Sequence, residues 1–391
     1  MIPFLIGIPA VFAVVFQIIR NEKMRGYIVY TGAGVIMAMT VLFIADWIGS
    51  GAQTWTFYPQ TEIIDHLMTV GDIFLMCLII WLSVRYRRVV PVILSVLQTV
   101  LVLYVEFTTE VTRGPHMMVD WLTILMCIII AFIGGFICIY TVGYMKGYHH
   151  HHKDVKDRQP FFFSMLFLFL AAMFGLVLSE NLIWIYFFWE ITSVISFLMI
   201  GYTRTEEAVN NSFCALWMNL LGGLGFAVAI VLMAMGQGSL QLVDVVNTGA
   251  LLPLMCLSLA GLTKSAQLPF STWLLGAMVA PTPSSALLHS ATMVKAGVYL
   301  LIRISPALSG NLVGLIVSSI GGLTFIMASM MAIAQNDAKK VLAFSTISNL
   351  GLIVACSGIG VEETVSGANV LMVVHAVSKS MLFQSVGATE N

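Results

Sequence analysis

The chain has 391 residues, of which 59% are hydrophobic and 9% are charged, and its mean hydropathy is +0.96. This composition supplies too little polar surface to cover a soluble globule of this size, which excludes a water-soluble protein. The net charge of −1, without a clustered basic surface, also excludes a nucleic-acid partner. We therefore expect an all-α, polytopic membrane helix bundle embedded in a lipid bilayer.

About thirteen apolar segments of spanning length follow one another, separated by charged or Pro/Gly-containing breaks. The first segment lacks a basic leading region and a cleavage site, so we expect a retained helix rather than a signal peptide. Pro269 removes a backbone donor within its segment, which predicts one crossing made by a helix broken near 264–269. The predicted segments are 2–19, 27–48, 66–84, 89–106, 117–144, 161–179, 181–201, 210–235, 250–278, 284–302, 311–335, 341–358 and 365–386.

Charged residues divide between alternate loops, as the positive-inside rule requires of a correct segmentation. One set of loops and helix ends holds 13 of the 18 Lys and Arg residues, and the opposite set holds only Arg113 and Arg303. We therefore predict a multi-pass protein of the cell inner (cytoplasmic) membrane with its N-terminus outside. The 13 basic residues are Arg20, Lys23, Arg25, Arg85, Arg87, Arg88, Lys146, Lys153, Lys156, Arg158, Arg204, Lys339 and Lys340. The acidic residues of the opposite loops are Glu62, Asp65, Glu110, Asp244, Glu362 and Glu363.

The polar gaps near 49–65 and 145–160 are too short for a soluble domain, so we expect a single membrane domain. The six cysteines lie in apolar segments without the spacing of an iron–sulfur or zinc site, so we predict no cofactor and no metal site in this chain. The run His149 to His152 is predicted to be an unstructured cytoplasmic loop, with metal binding as the alternative.

Glu190, Lys264, Lys295 and Lys379 each lie inside a long apolar segment. A charge at the centre of a spanning helix costs roughly 2.5 to 3.5 kcal/mol on the mild insertion scale, so four unpaired charges would oppose insertion by about 10 kcal/mol or more. Such residues usually pair, face water-filled interior space and mark an ion or proton path.

Glu190 and Lys264 are the first candidates for such a path. Burial disfavours the charged form of Glu190 and a nearby lysine favours it, so a small change in geometry decides whether a proton is held. Lys264 precedes the break at Pro269, where unwound backbone would admit water. A static buried ion pair between the two residues and a dry packing kink are the alternatives.

Two further pairs complete the predicted path. His289 and Lys295 are six residues apart, about 240° on a straight helix, and are expected to point to different faces. His375 and Lys379 are spaced i and i+4, which predicts a shared face and proton exchange through a bridging water. A hydrogen-bonded core histidine at 289 and a locally satisfied polar couple facing a neighbouring subunit are the alternatives. The predicted proton pathway is Glu190, Lys264, His289, Lys295, His375 and Lys379.

Two aspartates give weaker signals. Asp120 precedes an apolar run, which is typical of a helix-capping residue. Asp72 lies six residues into its segment, and its position fits either an interfacial or a functional role.

Four motifs stand in the order of a known family. They closely resemble those of the antiporter-like membrane subunits shared by respiratory complex I, the multi-subunit Na+/H+ antiporters and the energy-converting membrane-bound nickel-iron hydrogenases. The resemblance covers roughly residues 117 to 388. The motifs are Phe188-Trp189-Glu190, Lys264-Ser265-Ala266-Gln267-Leu268-Pro269, the stretch 280–297 that contains His289 and Lys295, and 337–346.

The resemblance implies two inverted helical repeats, each with a broken helix, and a hydrated charged axis across the membrane midplane. By matched position, Glu190 is similar to the family's glutamate, Lys264 to its paired lysine, His289 to its bridging histidine and Lys379 to its central lysine. The chain then divides into about four N-terminal membrane helices over 1–116 and an antiporter-like proton-translocating domain over 117–391.

Some features separate this chain from the family pattern. The two apparent extra helices, 66–84 and 89–106, and the match at Lys295 favour the hydrogenase or antiporter branch. Leu371 stands where many members carry a second histidine. The chain stops at Asn391, just past the Lys379 helix, so we expect a domain truncated at its C-terminus.

We therefore expect a non-catalytic subunit that translocates H+, and possibly Na+, within an oxidoreductase complex, most similar to an energy-converting hydrogenase. The expected partners are other membrane subunits and peripheral redox subunits. A subunit of respiratory complex I or of a multi-subunit Na+/H+ antiporter is the first alternative. A stand-alone secondary transporter and a non-pumping scaffold are further alternatives.

Overall fold

A computed structural model describes residues 1–19, 21–58, 62–109, 114–153 and 155–390. Arg20, Glu110, Arg113 and Asn391, which the sequence arguments used, lie outside the described residues. The described helices are α1 (Ile2–Ile18), α2 (Glu22–Gly49), α3 (Glu62–Arg85), α4 (Val89–Thr108), α5 (Trp121–Ile128), α6 (Gly134–His151), α7 (Gln159–Leu178), α8 (Leu182–Ile200), α9 (Glu206–Gln237), α10 (Leu242–Thr248), α11 (Leu251–Lys264), α12 (Thr272–Gly276), α13 (Thr282–Ala286), α14 (Met293–Leu308), α15 (Leu312–Ile333), α16 (Ala338–Ile359) and α17 (Glu362–Glu390).

The predicted all-α membrane bundle is confirmed. Within the described ranges, 11 helical segments are long and apolar enough to cross a membrane, and α1 and α11 are shorter apolar helices. Each predicted segment overlaps one helix or one broken helix, and the first three residues of the segment 117–144 form a short strand instead. Two of them contain π-helical turns, Ile129–Ile133 between α5 and α6 and Leu287–Ala291 between α13 and α14.

Side-chain caps explain several helix starts. The Asn21 side chain accepts hydrogen bonds from the backbone at the start of α2, and Asn181 accepts one from Ile183 N at 2.9 Å at the start of α8. Asp120 caps α5 by accepting from Thr123 N at 2.9 Å, as predicted. Each cap satisfies a backbone donor that the first helical turn leaves without a partner.

The predicted loop at the histidine run is wrong. His149 to His151 form the last turn of α6, and Nε2 of His149 lies 3.0 Å from the hydroxyl of Tyr202. Histidines suit this position because the C-terminal end of a helix dipole favours groups that can carry a positive charge.

The loops lie at two opposite faces of the bundle. At one face, which we call the β face, β1 (Trp55–Phe57) pairs antiparallel with β2 (Met117–Val119). At the opposite face, Lys339 Nζ lies 2.8 Å from Glu390 Oε2. This division matches the predicted division of charged loops, and the assignment of the opposite face to the cytoplasm stays a prediction.

The α3–α4 hairpin packs against the central helices rather than standing apart. Helix α3 contacts α8, and α4 contacts α9. Ile79 of α3 lies in a buried apolar cluster with Val194, Phe197 and Phe213. The hairpin therefore brings its inward-facing polar residues to α8, the helix that carries Glu190.

The segment from Thr282 to Leu308 lies at the centre of the bundle. Helix α14 within it contacts α7, α8, α11, α16 and α17. A Cβ atom at Gly297 would lie 2.6 Å from the carbonyl oxygen of Gly261, so only glycine permits this approach of α14 to α11. The candidate residues on this segment are therefore shielded from lipid on all sides.

Candidate functional site

The break in the eleventh helix falls where the sequence predicts it. Helix α11 ends at Lys264, and the next helix begins at Thr272. The backbone N–H of Gln267 donates to the carbonyl of Leu262 at 3.0 Å, which closes the end of α11. Backbone hydrogen bonds at the break are thereby kept inside the protein, as non-helical backbone at membrane depth requires.

Lys264 is fully buried and its ammonium group is held by α8. Nζ donates to the carbonyl oxygen of Trp189 at 2.9 Å and to Oγ of Ser193 at 2.9 Å. It also lies 4.6 Å from the centre of the Trp189 ring, which adds a cation–π contact. A buried ammonium therefore has three stabilising contacts on one turn of a neighbouring helix.

Glu190 is buried next to this contact but is not paired with it. No ion pair within 4.0 Å joins Glu190 to Lys264 among the described residues, so the static pair considered above is not formed. Within the same residues, neither carboxylate oxygen has a partner in hydrogen-bond geometry. The two side chains nevertheless interact electrostatically. This geometry is an open form of the expected pair.

The space beside Glu190 depends on a glycine. A Cβ atom at Gly223 of α9 would collide with Oε1 of Glu190 and would lie 2.7 Å from Oε1 of Gln98. Gln98 comes from α4, is buried, and also interacts with the carboxylate. The α3–α4 hairpin therefore contributes directly to the surroundings of Glu190.

Lys295 and His375 form a direct contact between α14 and α17. Nζ of Lys295 lies 2.9 Å from Nδ1 of His375 and donates to the carbonyl oxygen of Met372 at 2.9 Å. Both side chains are buried. The contact brings together two nitrogens that are able to share one proton.

His289 also faces α17, so the prediction that it and Lys295 point to different faces is wrong. Its ring lies 4.9 Å from that of Phe383, and within the described residues neither ring nitrogen has a hydrogen-bond partner. The residues between them include a π-helical turn and the non-helical Thr292, so straight-helix geometry does not apply.

Lys379 shares the buried side of α17 with His375 but bonds to a different helix. Its Nζ donates to Oγ of Ser345 at 2.6 Å and to the carbonyl oxygen of Leu342 at 3.4 Å, both on α16. The predicted shared face is present, whereas the two side chains do not bond to each other directly. Each of the three buried lysines thus contacts main-chain carbonyl oxygen and one side-chain acceptor.

The candidate residues fall into two sets. We call His289, Lys295, His375 and Lys379 the basic cluster, whose members interact electrostatically with one another through His375. Among the described residues, no hydrogen bond joins Lys264 to this cluster. The link is indirect, because Ser193 lies one turn from Ser196, whose hydroxyl contacts Met293 Sδ at 2.8 Å, two residues before Lys295.

A second set of polar residues surrounds Glu190. Asp72 of α3 is 5% exposed and interacts electrostatically with Glu190 and with Glu106 of α4. We call Asp72, Gln98, Glu106 and Glu190 the acidic cluster. Sequence reasoning gave Asp72 a weak signal and missed Gln98 and Glu106. Gln98 and Glu106 could have been found as polar residues inside the apolar segment 89–106.

Two protein families match parts of the chain. The family described as NADH:quinone oxidoreductase/Mrp antiporter, TM, matches residues 179–391. The family described as NADH-Ubiquinone oxidoreductase (complex I), chain 5 N-terminus, matches residues 114–154. The first match includes Glu190, Lys264 and the basic cluster, and both matches leave out the α3–α4 hairpin.

Curated relatives include proteins named putative antiporter subunit mnhA2. The one from Staphylococcus aureus strain JH9 is 37% identical over 296 residues, which covers 70% of this chain and 36% of that protein. The one from strain USA300 is 36% identical over the same length. The chain therefore spans 36% of the length of these relatives.

Two solved structures are similar to this fold. One is the Mrp complex from Dietzia sp. DQ12-45-1b, with a TM-score of 0.65 and 28% identity, covering 83% of this chain and 37% of that chain. The other is the membrane-bound sulfane sulfur reductase, an archaeal respiratory membrane complex, with a TM-score of 0.76 and 17% identity. That match covers 99% of this chain and 70% of the other, and at this identity it concerns the fold alone.

Proposed function

Because the chain belongs to the NADH:quinone oxidoreductase/Mrp antiporter transmembrane family, we propose that it is an ion-translocating subunit of a multi-subunit membrane complex. The observation that best supports this is the buried Lys264 ammonium, which bonds to the residue next to Glu190 rather than to Glu190 itself. The Lys264 ammonium therefore has two alternative positions, one at Trp189 O and Ser193 Oγ and the other at the Glu190 carboxylate.

Movement of Lys264 between these positions is the proposed coupling step. Trp189 O and the Glu190 carboxylate belong to consecutive residues of α8, so the proposed movement is a rotation of the Lys264 side chain. A unit charge acts strongly over several ångströms in a low-dielectric interior. Each movement therefore changes the electrostatic potential at His289 and Lys379 and displaces a proton there.

The Lys295–His375 contact supplies a proton-transfer step. When Lys295 is an ammonium, it donates to Nδ1 of a neutral His375 across 2.9 Å. Transfer of that proton leaves a neutral amine and an imidazolium, so charge and atoms balance. The proposed path runs from Glu190 and Lys264 to His289, Lys295, His375 and Lys379.

The test is transport in membrane vesicles that contain the assembled complex. Lys264→Met and Glu190→Gln remove the two charges with little change in volume, and we expect each to abolish ion movement measured with a pH-sensitive or sodium-sensitive dye. Lys23→Met and Glu363→Gln, at exposed positions, are the matched controls. Transport at the wild-type rate in both test variants would refute the proposed coupling.

The type of complex is a finer proposal. The relatives described above that exceed 25% identity are named putative antiporter subunits, and the solved structure above that identity is a Mrp complex, so we propose a Mrp-type Na+/H+ antiporter assembly first. The hydrogenase-type assembly expected from the extra helices and Lys295 is the second candidate. In that case partner subunits would hold the redox centres and this chain none.

Mass spectrometry of the detergent-purified assembly separates these candidates. Co-purification of further antiporter subunits alone supports the first. Co-purification of a nickel-iron catalytic subunit supports the second and excludes the first.

We also propose that the β face lies outside the cell and that the opposite, basic face lies in the cytoplasm. The support is the excess of Lys and Arg in the loops of the opposite face. A single cysteine placed at Thr54, an exposed residue directly before β1, in an otherwise cysteine-free chain, should react with a membrane-impermeant thiol reagent added to intact cells. Labelling only after the cells are opened would reverse the orientation.

A further inference from the structure

A cavity lined by both polar and apolar side chains opens at the β face between α3, α4 and α8. Its volume is about 660 Å³, and its lining includes Asp65, His66, Thr69, Glu106 and His116. Asp65 is fixed at the mouth by a hydrogen bond from Trp184 Nε1 at 2.8 Å. A space of this size is large enough for several water molecules among polar groups.

Carboxylates lead from this cavity into the bundle. The hydroxyl of Thr69 donates to the Glu106 carboxylate in the cavity wall. Asp72 lies three residues further along α3, about one turn deeper and on the same side of the helix. Its carboxylate interacts electrostatically with both Glu106 and Glu190. The three carboxylates therefore form a series.

The inner end of the series holds buried oxygen atoms that lack a partner in hydrogen-bond geometry among the described residues. Oε1 of Gln98 is buried and has no hydrogen-bond partner within the described residues, and the same holds for both carboxylate oxygens of Glu190. Oε1 of each residue faces the side of α9 that Gly223 leaves open. Buried oxygen acceptors that lie against the same glycine suit a proton or a cation, because either supplies the missing positive partner.

We propose that the α3–α4 hairpin forms an inlet that admits a monovalent cation, Na+ or H+, from the β face to Glu190. The carboxylate and amide groups of the acidic cluster offer oxygen, which is the ligand type that hard cations prefer. This inference rests on the proposed function, because the inlet would supply the ion to which Lys264 and the basic cluster respond. It goes beyond the matched families, whose matches exclude the hairpin.

The first experiment measures cation binding without requiring transport. The protein is purified with its co-purifying subunits, and its melting temperature is measured in NaCl and in choline chloride at equal ionic strength. Asp72→Asn and Glu106→Gln should each raise the Na+ concentration needed for half of the shift by at least about tenfold, as loss of a ligand or its neighbour does in other metal sites. Glu363→Gln, an exposed β-face acid outside the cavity, should leave it unchanged.

The second experiment measures proton uptake in vesicles with the same variants. If wild type shows no Na+ shift, and Asp72→Asn and Glu106→Gln slow proton uptake at least about tenfold, the cation of the inlet is H+. Glu106 is only half-buried, so its variant keeps the test valid even if Asp72→Asn fails to fold.

Two results would overturn the inlet. A Na+ shift that persists unchanged in both variants would place the cation elsewhere, and normal proton uptake in both variants of a protein without a Na+ shift would leave the inlet no role. Failure of the proposed function can be distinguished from failure of the inlet. If the proposed function is wrong, Lys264→Met transports normally, whatever the result for the inlet variants.

Discussion

The acidic and basic clusters differ in the atoms that they offer. The acidic cluster presents carboxylate and amide groups from α3, α4 and α8, whereas the basic cluster presents amine and imidazole nitrogens from the central segment and α17. An ammonium group has no acceptor site, so protonated lysines repel metal cations and handle only protons. In the proposed scheme, ion admission and proton transfer therefore occupy separate parts of one bundle.

The two clusters also differ in origin. The basic cluster lies wholly inside the region that the antiporter family matches, while three of the four members of the acidic cluster come from the hairpin outside it. Glu190 is the shared member, since it belongs to the matched region and faces the hairpin. Variants that test this separation are ordered below from the largest expected effect to the smallest.

The largest effect is expected for Lys295→Met in the basic cluster. Methionine fills a similar volume but cannot exchange a proton with His375, so proton transport should fall by about 100-fold or more. The Na+-dependent melting shift should stay as in wild type, because the acidic cluster is intact. A vesicle pH assay and the melting assay measure the two effects.

Lys340→Met, at the exposed start of α16, is the control for Lys295→Met. If Lys295→Met also removes the Na+ shift, the two clusters act as one site and the separation is wrong.

The next effect is expected for Gly223→Ala. The added methyl group collides with Oε1 of Glu190 and displaces the carboxylate, so transport should fall between about 10- and 100-fold, as for other small misplacements of reacting groups. Gly236→Ala adds the same methyl group to α9 where nothing lies within 4 Å. Equal transport by the two variants would show that the position of Glu190 is not critical.

A smaller effect is expected for Ser193→Ala, which removes one acceptor of Lys264 and leaves Trp189 O in place. Loss of one buried hydrogen bond is worth about 1 kcal/mol, or roughly fivefold in the balance between the two positions of Lys264. Transport rates should change by about that factor. Ser193→Thr keeps the hydroxyl and should behave as wild type, and an effect as large as that of Lys264→Met would contradict the two-position scheme.

The smallest effect on transport is expected for Glu180→Gln, which separates burial from function. Glu180 lies in the turn between α7 and α8, accepts from Val243 N at 2.7 Å, and belongs to neither cluster. Burial raises the pKa of Glu180 from 4.5 to about 7, against the opposing effect of that hydrogen bond. Transport should therefore be unchanged in this variant.

The pH dependence of stability supplies the positive readout for Glu180→Gln. The folded protein holds the Glu180 proton more tightly than the unfolded protein, so its contribution to stability is complete below about pH 4.5 and is lost as the pH rises to about 7. Thermal unfolding of Glu180→Gln should show a smaller loss of stability over this range. An unchanged pH profile would mean that Glu180 does not titrate there.

Local sequence patterns were sufficient for the membrane segments and for the break after Lys264. Apolar run length and a proline act within one helix, so no knowledge of packing is needed to use them. The burial of Glu190, Lys264, Lys295 and Lys379 followed from the same reasoning, because isolated charges avoid lipid.

Which residues of the site contact each other could not be predicted from local sequence patterns. Lys295 and His375 are 80 residues apart, and Gln98 and Glu190 meet only because α4 packs on α9 beside α8. The facing of His289 was mispredicted because a π-helical turn holds more residues than an α-helical turn and redirects the side chains of the residues after it. Contacts between distant segments and irregular turns depend on tertiary packing.

The lysine contacts have a consequence for how this protein varies under selection. One acceptor for each buried ammonium is a main-chain oxygen of Trp189, Met372 or Leu342, which no codon change at those positions removes. Heritable tuning of the three amines is therefore confined to their side-chain ligands, Ser193, His375 and Ser345. Suppressors of slow or leaky mutants should accumulate at these three codons before they appear at the codons of the residues that supply the carbonyl oxygens.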